Sequence, residues 1–144
     1  MGILTCIVAA EEEEATEVGE TAEPLDAWSG IVLHDVDVDK IVTLHCLLTG
    51  DLFDEAAVRY EPIHVSAEDA LLFRLADEAT ERLVALDEEA LDAVAVELAA
   101  TEAYELAGWD GEAIAEMLAL LTDLARLAES QGQVLFARMQ PLTV

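Results

Sequence analysis

The stretch His34–Gly50, HDVDVDKIVTLHCLLTG, has the most strongly specified local structure in the chain. Four of its residues recur at the i, i+3, i+4, i+7 spacing of one helical face: Ile41, Leu44, His45 and Leu48. Asp37 suits the N-cap, because its side-chain oxygen can accept a bond from an otherwise unpaired backbone N–H. Gly50 stands just past the last apolar residue, where glycine commonly ends a helix. The stretch therefore predicts a capped helix with His45 facing the core.

Four polar residues of this stretch are candidate binding residues: Asp37, Asp39, Lys40 and His45. Asp39 falls in the first helical turn, where the helix dipole favours a negative charge. Lys40 opposes that dipole, so we expect it to have a specific acidic partner. A buried, unpaired imidazole nitrogen would cost about 1–3 kcal/mol, so we expect His45 to be hydrogen-bonded to a backbone carbonyl or a carboxylate. The alternative is that His45 lines a pocket as a ligand or a base.

The reactive side chains of this stretch do not match known catalytic or metal motifs. Numbered from Asp35, a calcium loop would need glycine at Lys40 and a bidentate glutamate at Cys46. A Cys46 nucleophile would need a base within hydrogen-bond reach, and its neighbour His45 does not face it on a helix. Pairing of Cys46 with His34 or His64 stays open. We therefore assign no catalytic residue, no metal site and no cofactor.

The charge of the chain limits its partners. Its 144 residues include 32 acidic and six basic ones, which gives a net charge of -26 at pH 7. Such a surface repels phosphate backbones and anionic membranes, so we expect neither nucleic acid nor a membrane as a partner. A basic protein is the partner class that it attracts. Adaptation to a salty cytosol, or to one whose proteins are generally acidic, would produce the same composition, and the sequence does not choose between this and a basic partner.

Outside this stretch the pattern alternates between strands and helices. Strands are predicted at Gly2–Ala9, Ala70–Ala76 and Gln133–Met139, and the runs IVLH and IHV are further candidates. Helical patterns follow Asp77, Asp87 and Asp110, the last ending at Gly132, while the run Glu11–Glu14 is either a weak helix or a mobile surface segment. Together these predict an α/β or α+β fold: a single compact domain over residues 1–144, with a mixed sheet and flanking helices.

The cysteines and the N-terminal residues bear on location. Cys6 and Cys46 are too few for a disulfide framework, and reduced thiols fit a cytoplasm. The start MGILTCIVAA lacks a basic region, and its apolar run is too short to span a bilayer. We therefore expect a cytoplasmic protein.

One motif resembles a known family. The run Val36-Asp37-Val38-Asp39-Lys40, then His45 and Leu48-Thr49-Gly50, resembles the signature of the YfbM-like family, small bacterial proteins of unknown function. The segments MGILTCIVA, AWSG and LARLAESQGQVLFARM are similar to the family in order and spacing, whereas Ile41 stands where the family usually has tryptophan. The resemblance implies a compact α/β domain with a mixed sheet, and it carries over no activity and no catalytic residue.

Two classes of function remain at this point. The first is a non-enzymatic domain that binds another macromolecule, with a basic protein as the partner. The second is a small-molecule-binding domain or an enzyme that uses Asp37, Asp39 and His45.

The excess of carboxylates makes the melting temperature a test of self-repulsion. The screening length falls from about 10 Å at 0.1 M to about 3 Å at 1 M ionic strength. If repulsion strains the fold, molar sodium chloride should raise the melting temperature relative to a low-salt buffer. A melting curve that does not change with salt would show that the charges are too widely spaced to matter.

Overall fold

A central antiparallel sheet organises the chain. The structure is a computed structural model, and it describes residues 2–142. Within these residues the sheet has five strands: β1 (Gly2–Ala10), β2 (Ser29–His34), β3 (His64–Val65), β4 (Leu71–Arg74) and β5 (Val134–Leu142). Their order is β2-β1-β5-β4-β3, so β2 and β3 form the edges.

Helices connect and cover the strands. The described residues form seven α-helices: α1 (Ala15–Glu20), α2 (Val38–Thr49), α3 (Phe53–Ala57), α4 (Asp77–Ala85), α5 (Glu88–Ala99), α6 (Glu102–Glu105) and α7 (Gly111–Gln131). Short 3-10 helices occupy Glu12–Glu14 and Pro24–Asp26. The acidic run at the start is thus helical, which was one of its two predicted states.

The sheet has a different core on each face. On β1, Ile7 and Ala9 belong to the main core, which α2 and α4 to α7 cover. Val8 and Ala10 belong to a smaller core on the opposite face, where α1 contributes Val18. β1 is therefore buried on both faces, as its uninterrupted apolar sequence predicted.

The predicted helix boundaries are confirmed where a cap defines them. Three aspartates accept a hydrogen bond from the backbone N–H three residues later: Asp37 from Lys40 (3.0 Å), Asp87 from Ala90 (2.7 Å) and Asp110 from Ala113 (2.7 Å). Gly50 (φ 84°) and Gly132 (φ 68°) end α2 and α7 in the left-handed conformation that glycine adopts without strain. Asp77 differs from expectation, because α4 begins at Asp77 itself and Ala76 is the N-cap.

The fold class is confirmed as a single α+β domain, but the sheet is not mixed. Each of the four strand pairings is antiparallel. The physical reason is visible between β4 and β5, where the N–H of Leu75 donates to the carbonyl of Leu135 at 3.0 Å. Helices α4 to α7 therefore return the chain to the end of the sheet that it left, which makes the next strand antiparallel. Residues 1, 143 and 144 of the predicted domain lie outside the described range.

Candidate functional site

Asp37 and Lys40 form the first turn of α2 together. Besides capping the Lys40 N–H, Asp37 places its Oδ2 3.9 Å from Lys40 Nζ, so Lys40 has the acidic partner that was predicted. Lys40 is 7% exposed. The buried hydroxyl of Tyr104 donates to the Lys40 carbonyl oxygen at 3.1 Å, which ties α6 to the same turn. Both residues therefore have structural partners that hold α2 in place.

His45 is buried and hydrogen-bonded at both ring nitrogens. Its exposed fraction is 1%. Nε2 lies 2.8 Å from Oδ2 of Asp51, and Nδ1 lies 2.9 Å from the hydroxyl of Tyr60. That hydroxyl also accepts a bond from the backbone N–H of Ala76 at 3.2 Å. The prediction of a buried, hydrogen-bonded His45 is confirmed, and one of its partners is a carboxylate as expected.

The hydrogen-bond partners of His45 indicate which of its ring nitrogens carries a proton. A carboxylate only accepts hydrogen bonds, so Asp51 receives the proton on Nε2. Tyr60 already accepts from Ala76, so its hydroxyl proton is free to be donated to Nδ1 of His45. A ring with one proton, on Nε2, therefore satisfies every partner. The chain of bonds runs from the start of α4 through Tyr60 and α2 to the loop that holds Asp51.

This chain of bonds has the residue types of a proton relay but no room for a substrate. The cavity beside His45 and Tyr60 measures about 10 Å³, and its other walls are aliphatic side chains such as Leu48 and Leu83. A space of that size is at the lower limit for a single water molecule. Burial raises the pKa of the Tyr60 hydroxyl, which opposes its use as an acid or a base near neutral pH. These hydrogen bonds instead hold α2, the loop with Asp51 and the start of α4 together.

The four candidate residues do not share one site. Asp39 is exposed and lines a shallow groove of about 370 Å³ with Phe53 and Leu106, and His45 does not line this groove. Within residues 2–142, no group of three or more His, Cys, Asp or Glu side chains has a geometry that could hold a metal ion. Asp37 and Asp39 of the motif therefore do not contribute to one common site.

Neither cysteine is an activated thiol. Burial raises the pKa of both Cys6 and Cys46, and the charge of Asp51 raises that of Cys46 further. His64 has Nε2 3.1 Å from Glu20, and His34 lies on the edge strand β2. Of the two histidines considered as possible bases for Cys46, His64 is therefore paired with Glu20 and His34 lies on a different element from Cys46.

Most basic side chains are engaged in contacts within the protein. Arg126 donates to the carbonyl of Leu86 at 2.6 Å, and the buried Arg138 donates to that of Gly19 at 2.9 Å. Arg74 pairs with Asp77 at 3.0 Å, and Arg59 pairs with Glu78. With Lys40, five of the six basic residues are engaged in these ways. Most carboxylates on the surface consequently have no cation beside them.

Sequence reasoning did not find a second groove, which lies beside the edge strand β2. It measures about 490 Å³ and lies between β2 and the N-terminal half of α7. One wall contains Val32 and His34 of β2, and the other contains Trp109, Met117 and Leu120. No sequence signal could have found it, because its two walls are about 80 residues apart and share no motif.

No family model, curated protein or solved structure matches the chain. Membership of the YfbM-like family thus stays a prediction from the motif. Among residues 2–142, no helix combines the length and apolar character that crossing a bilayer requires.

Removing the hydroxyl group of Tyr60 tests how much its hydrogen bonds contribute to the stability of the fold. Replacing Tyr60 by Phe leaves both Nδ1 of His45 and the N–H of Ala76 without a partner, and should lower the free energy of unfolding by about 1–3 kcal/mol. Tyr104→Phe is the matched control, because the Lys40 carbonyl that it leaves still accepts a bond within α2. Urea denaturation of both variants measures the difference.

His45→Ala should be at least as destabilising as Tyr60→Phe, by about 2–3 kcal/mol, because packing and two hydrogen bonds are lost together. An unchanged unfolding midpoint for His45→Ala would contradict the structural role of this residue.

Asp51 gives a pH test. The hydrogen bond from His45 lowers the pKa of Asp51 below its ordinary value. A carboxyl with a lowered folded pKa contributes stability above its unfolded pKa of about 3.9, and this contribution is lost as the pH falls through the lower folded value. Asp51→Asn should therefore be destabilising at pH 7, and the difference from the parent should shrink below about pH 4.

Asp92→Asn is the control for the Asp51 test, because it removes the same charge from an exposed position of α5. A destabilisation by Asp51→Asn that persists undiminished at pH 2.5 would show that the carboxylate is not the cause.

Proposed function

We propose that this protein is a non-enzymatic binding protein whose partner is a basic region of another protein. The observation that carries the proposal is the distribution of charge. The chain has 32 acidic and six basic residues, and five of the basic ones are engaged within the fold. The outer surface is thus dominated by solvated carboxylates.

Such a surface acts at a distance on other molecules. A field of one sign attracts molecules of the opposite charge and accelerates their encounter. It also raises the free energy of approach to phosphate backbones and to anionic lipids. Of the common classes of large partner, this supports a basic protein over nucleic acid and membranes.

The alternative function is a small-molecule-binding domain or an enzyme that uses Asp37, Asp39 and His45. It has less support, because Asp37 is engaged as a helix cap and His45 lies beside a cavity of only about 10 Å³. Asp39 alone faces a groove, without a second titratable candidate from the motif. A reactive site needs several such groups around one open space.

The location and the family are parts of the same proposal. Cys6 and Cys46 are free, which fits a reducing compartment, and we place the protein in the cytoplasm of a bacterium. The motif from Val36 to Gly50 supports membership of the YfbM-like family, and Asp37, Lys40 and His45 of this motif act as structural residues of α2.

Purification from the native host at moderate salt tests the function. We expect a stoichiometric complex with a basic protein near 0.15 M salt, dissociating toward 1 M as the screening length shortens to about 3 Å. A polyglutamate bait of similar charge is the control, and it removes proteins that bind any polyanion. A metabolite or metal ion bound in stoichiometric amount, without a protein, would favour the alternative instead.

A further inference from the structure

The outer side of β2 is a strand edge with free backbone groups. Among the described strands β2 pairs only with β1. The N–H of Asp35 donates to the carbonyl of Ile3 at 2.8 Å, and hydrogen-bonded and non-hydrogen-bonded pairs alternate along an antiparallel ladder. Leu33 therefore bonds to β1, whereas the N–H and C=O groups of Val32 and His34 point away from it.

This edge lacks the usual protection against pairing. Exposed edge strands are commonly blocked by a lysine, a proline or an inward charge. The sequence of β2, SGIVLH, contains no proline, lysine or carboxylate. The strand is ended instead by Asp35, whose φ of 60° turns the chain away. Val32 and His34 are thus open to an additional strand.

The groove beside this edge has an apolar interior. Leu120 of α7 is 44% exposed in the groove, and Leu33 of β2 lies on the face of the sheet that α7 covers. Trp109 and Met117 line the same groove. Because side chains of a strand alternate between its two faces, a strand paired with β2 could direct every second side chain into this space.

The rim of the groove selects the charge of its occupant. Asp35, Asp110 and Glu116 line it, and no lysine or arginine does. A second copy of this chain would bring the same three carboxylates and its own net charge of -26, so charge opposes self-pairing. A segment with apolar and basic residues in alternation complements both the interior and the rim.

We propose that the partner docks through an extended basic segment that adds a strand to the free edge of β2 and fills the groove between β2 and α7. The inference rests on the proposed function, and it names the surface and the form of the partner. Backbone hydrogen bonds to Val32 and His34 would supply affinity, while the groove and its carboxylates would supply selectivity.

A labelled octapeptide of alternating lysine and valine tests the proposal by fluorescence anisotropy. Its control has the same sequence with N-methyl groups on the amides that would face β2, which preserves the charge and blocks strand pairing. We expect the N-methylated peptide to bind about tenfold more weakly, as backbone pairing is the main source of affinity in this mode. Amide NMR signals of Val32 and His34 should shift with the unmodified peptide.

Three variants locate the site. Val32→Pro removes an N–H that β1 does not use, and Glu116→Lys reverses a charge on the rim. Each should weaken octapeptide binding about tenfold, because a like charge at an interface costs affinity and an edge proline blocks pairing. Glu129→Lys makes the same charge change at an exposed site near the other end of α7, and should alter binding by less than twofold. Melting curves verify that Val32→Pro folds, and Glu116→Lys tests the site independently of it.

The possible outcomes separate this inference from the proposed function. Equal binding of both peptides, unaffected by Glu116→Lys, would overturn the docking site but leave an acidic surface that attracts basic proteins. Absence of any binding at low salt would overturn both. Concentration-dependent dimers that Val32→Pro abolishes would show that a second copy occupies the edge, and would overturn the choice of a basic partner.

Discussion

The pairing of β1 with β5 is the interaction on which the rest of the structure depends. It runs from Gly2 opposite Leu142 to Ala10 opposite Val134, and it joins the two ends of the described chain in the centre of the sheet. Neither strand has a solvent face along most of its length, so each needs a helical layer on one side and the α1 layer on the other. Such distant pairing has a high entropic cost of closure, which the large burial of aliphatic side chains offsets.

Local features of the fold could be predicted because their causes are local. The cap at Asp37, the left-handed Gly50 and the apolar face of α2 all follow from residues within one stretch, and so does the buried character of β1. Strand order and direction could not be predicted, because they depend on where α4 to α7 return the chain. The two-residue β3 was found only as the candidate run IHV, and the short α3 was missed, since neither is long enough to show a periodic pattern.

The candidate site, too, could be predicted only where its causes are local. The helical spacing predicted that His45 is buried and therefore needs partners, but not that Asp51 and Tyr60 supply them. Asp51 lies just beyond the end of α2, and Tyr60 reaches His45 from the far side of α3, where the sequence has no regular pattern. The sequence places these chemical groups close together along the chain. In the structure Asp37 caps α2 and forms a partly exposed ion pair with Lys40, Asp39 is exposed, and His45 belongs to a buried hydrogen-bond network.

The charge and the open edge are physically related. A strand edge without a lysine, a proline or an inward charge is normally at risk of pairing with another copy of itself. Here every copy carries a net charge of -26, and the carboxylates of Asp35, Asp110 and Glu116 stand beside the edge. Over the screening length of about 8 Å at physiological salt, these charges oppose pairing between identical copies. In the proposed docking mode the same charges would attract a basic strand, so one feature would both protect the edge of β2 from self-association and select what occupies it.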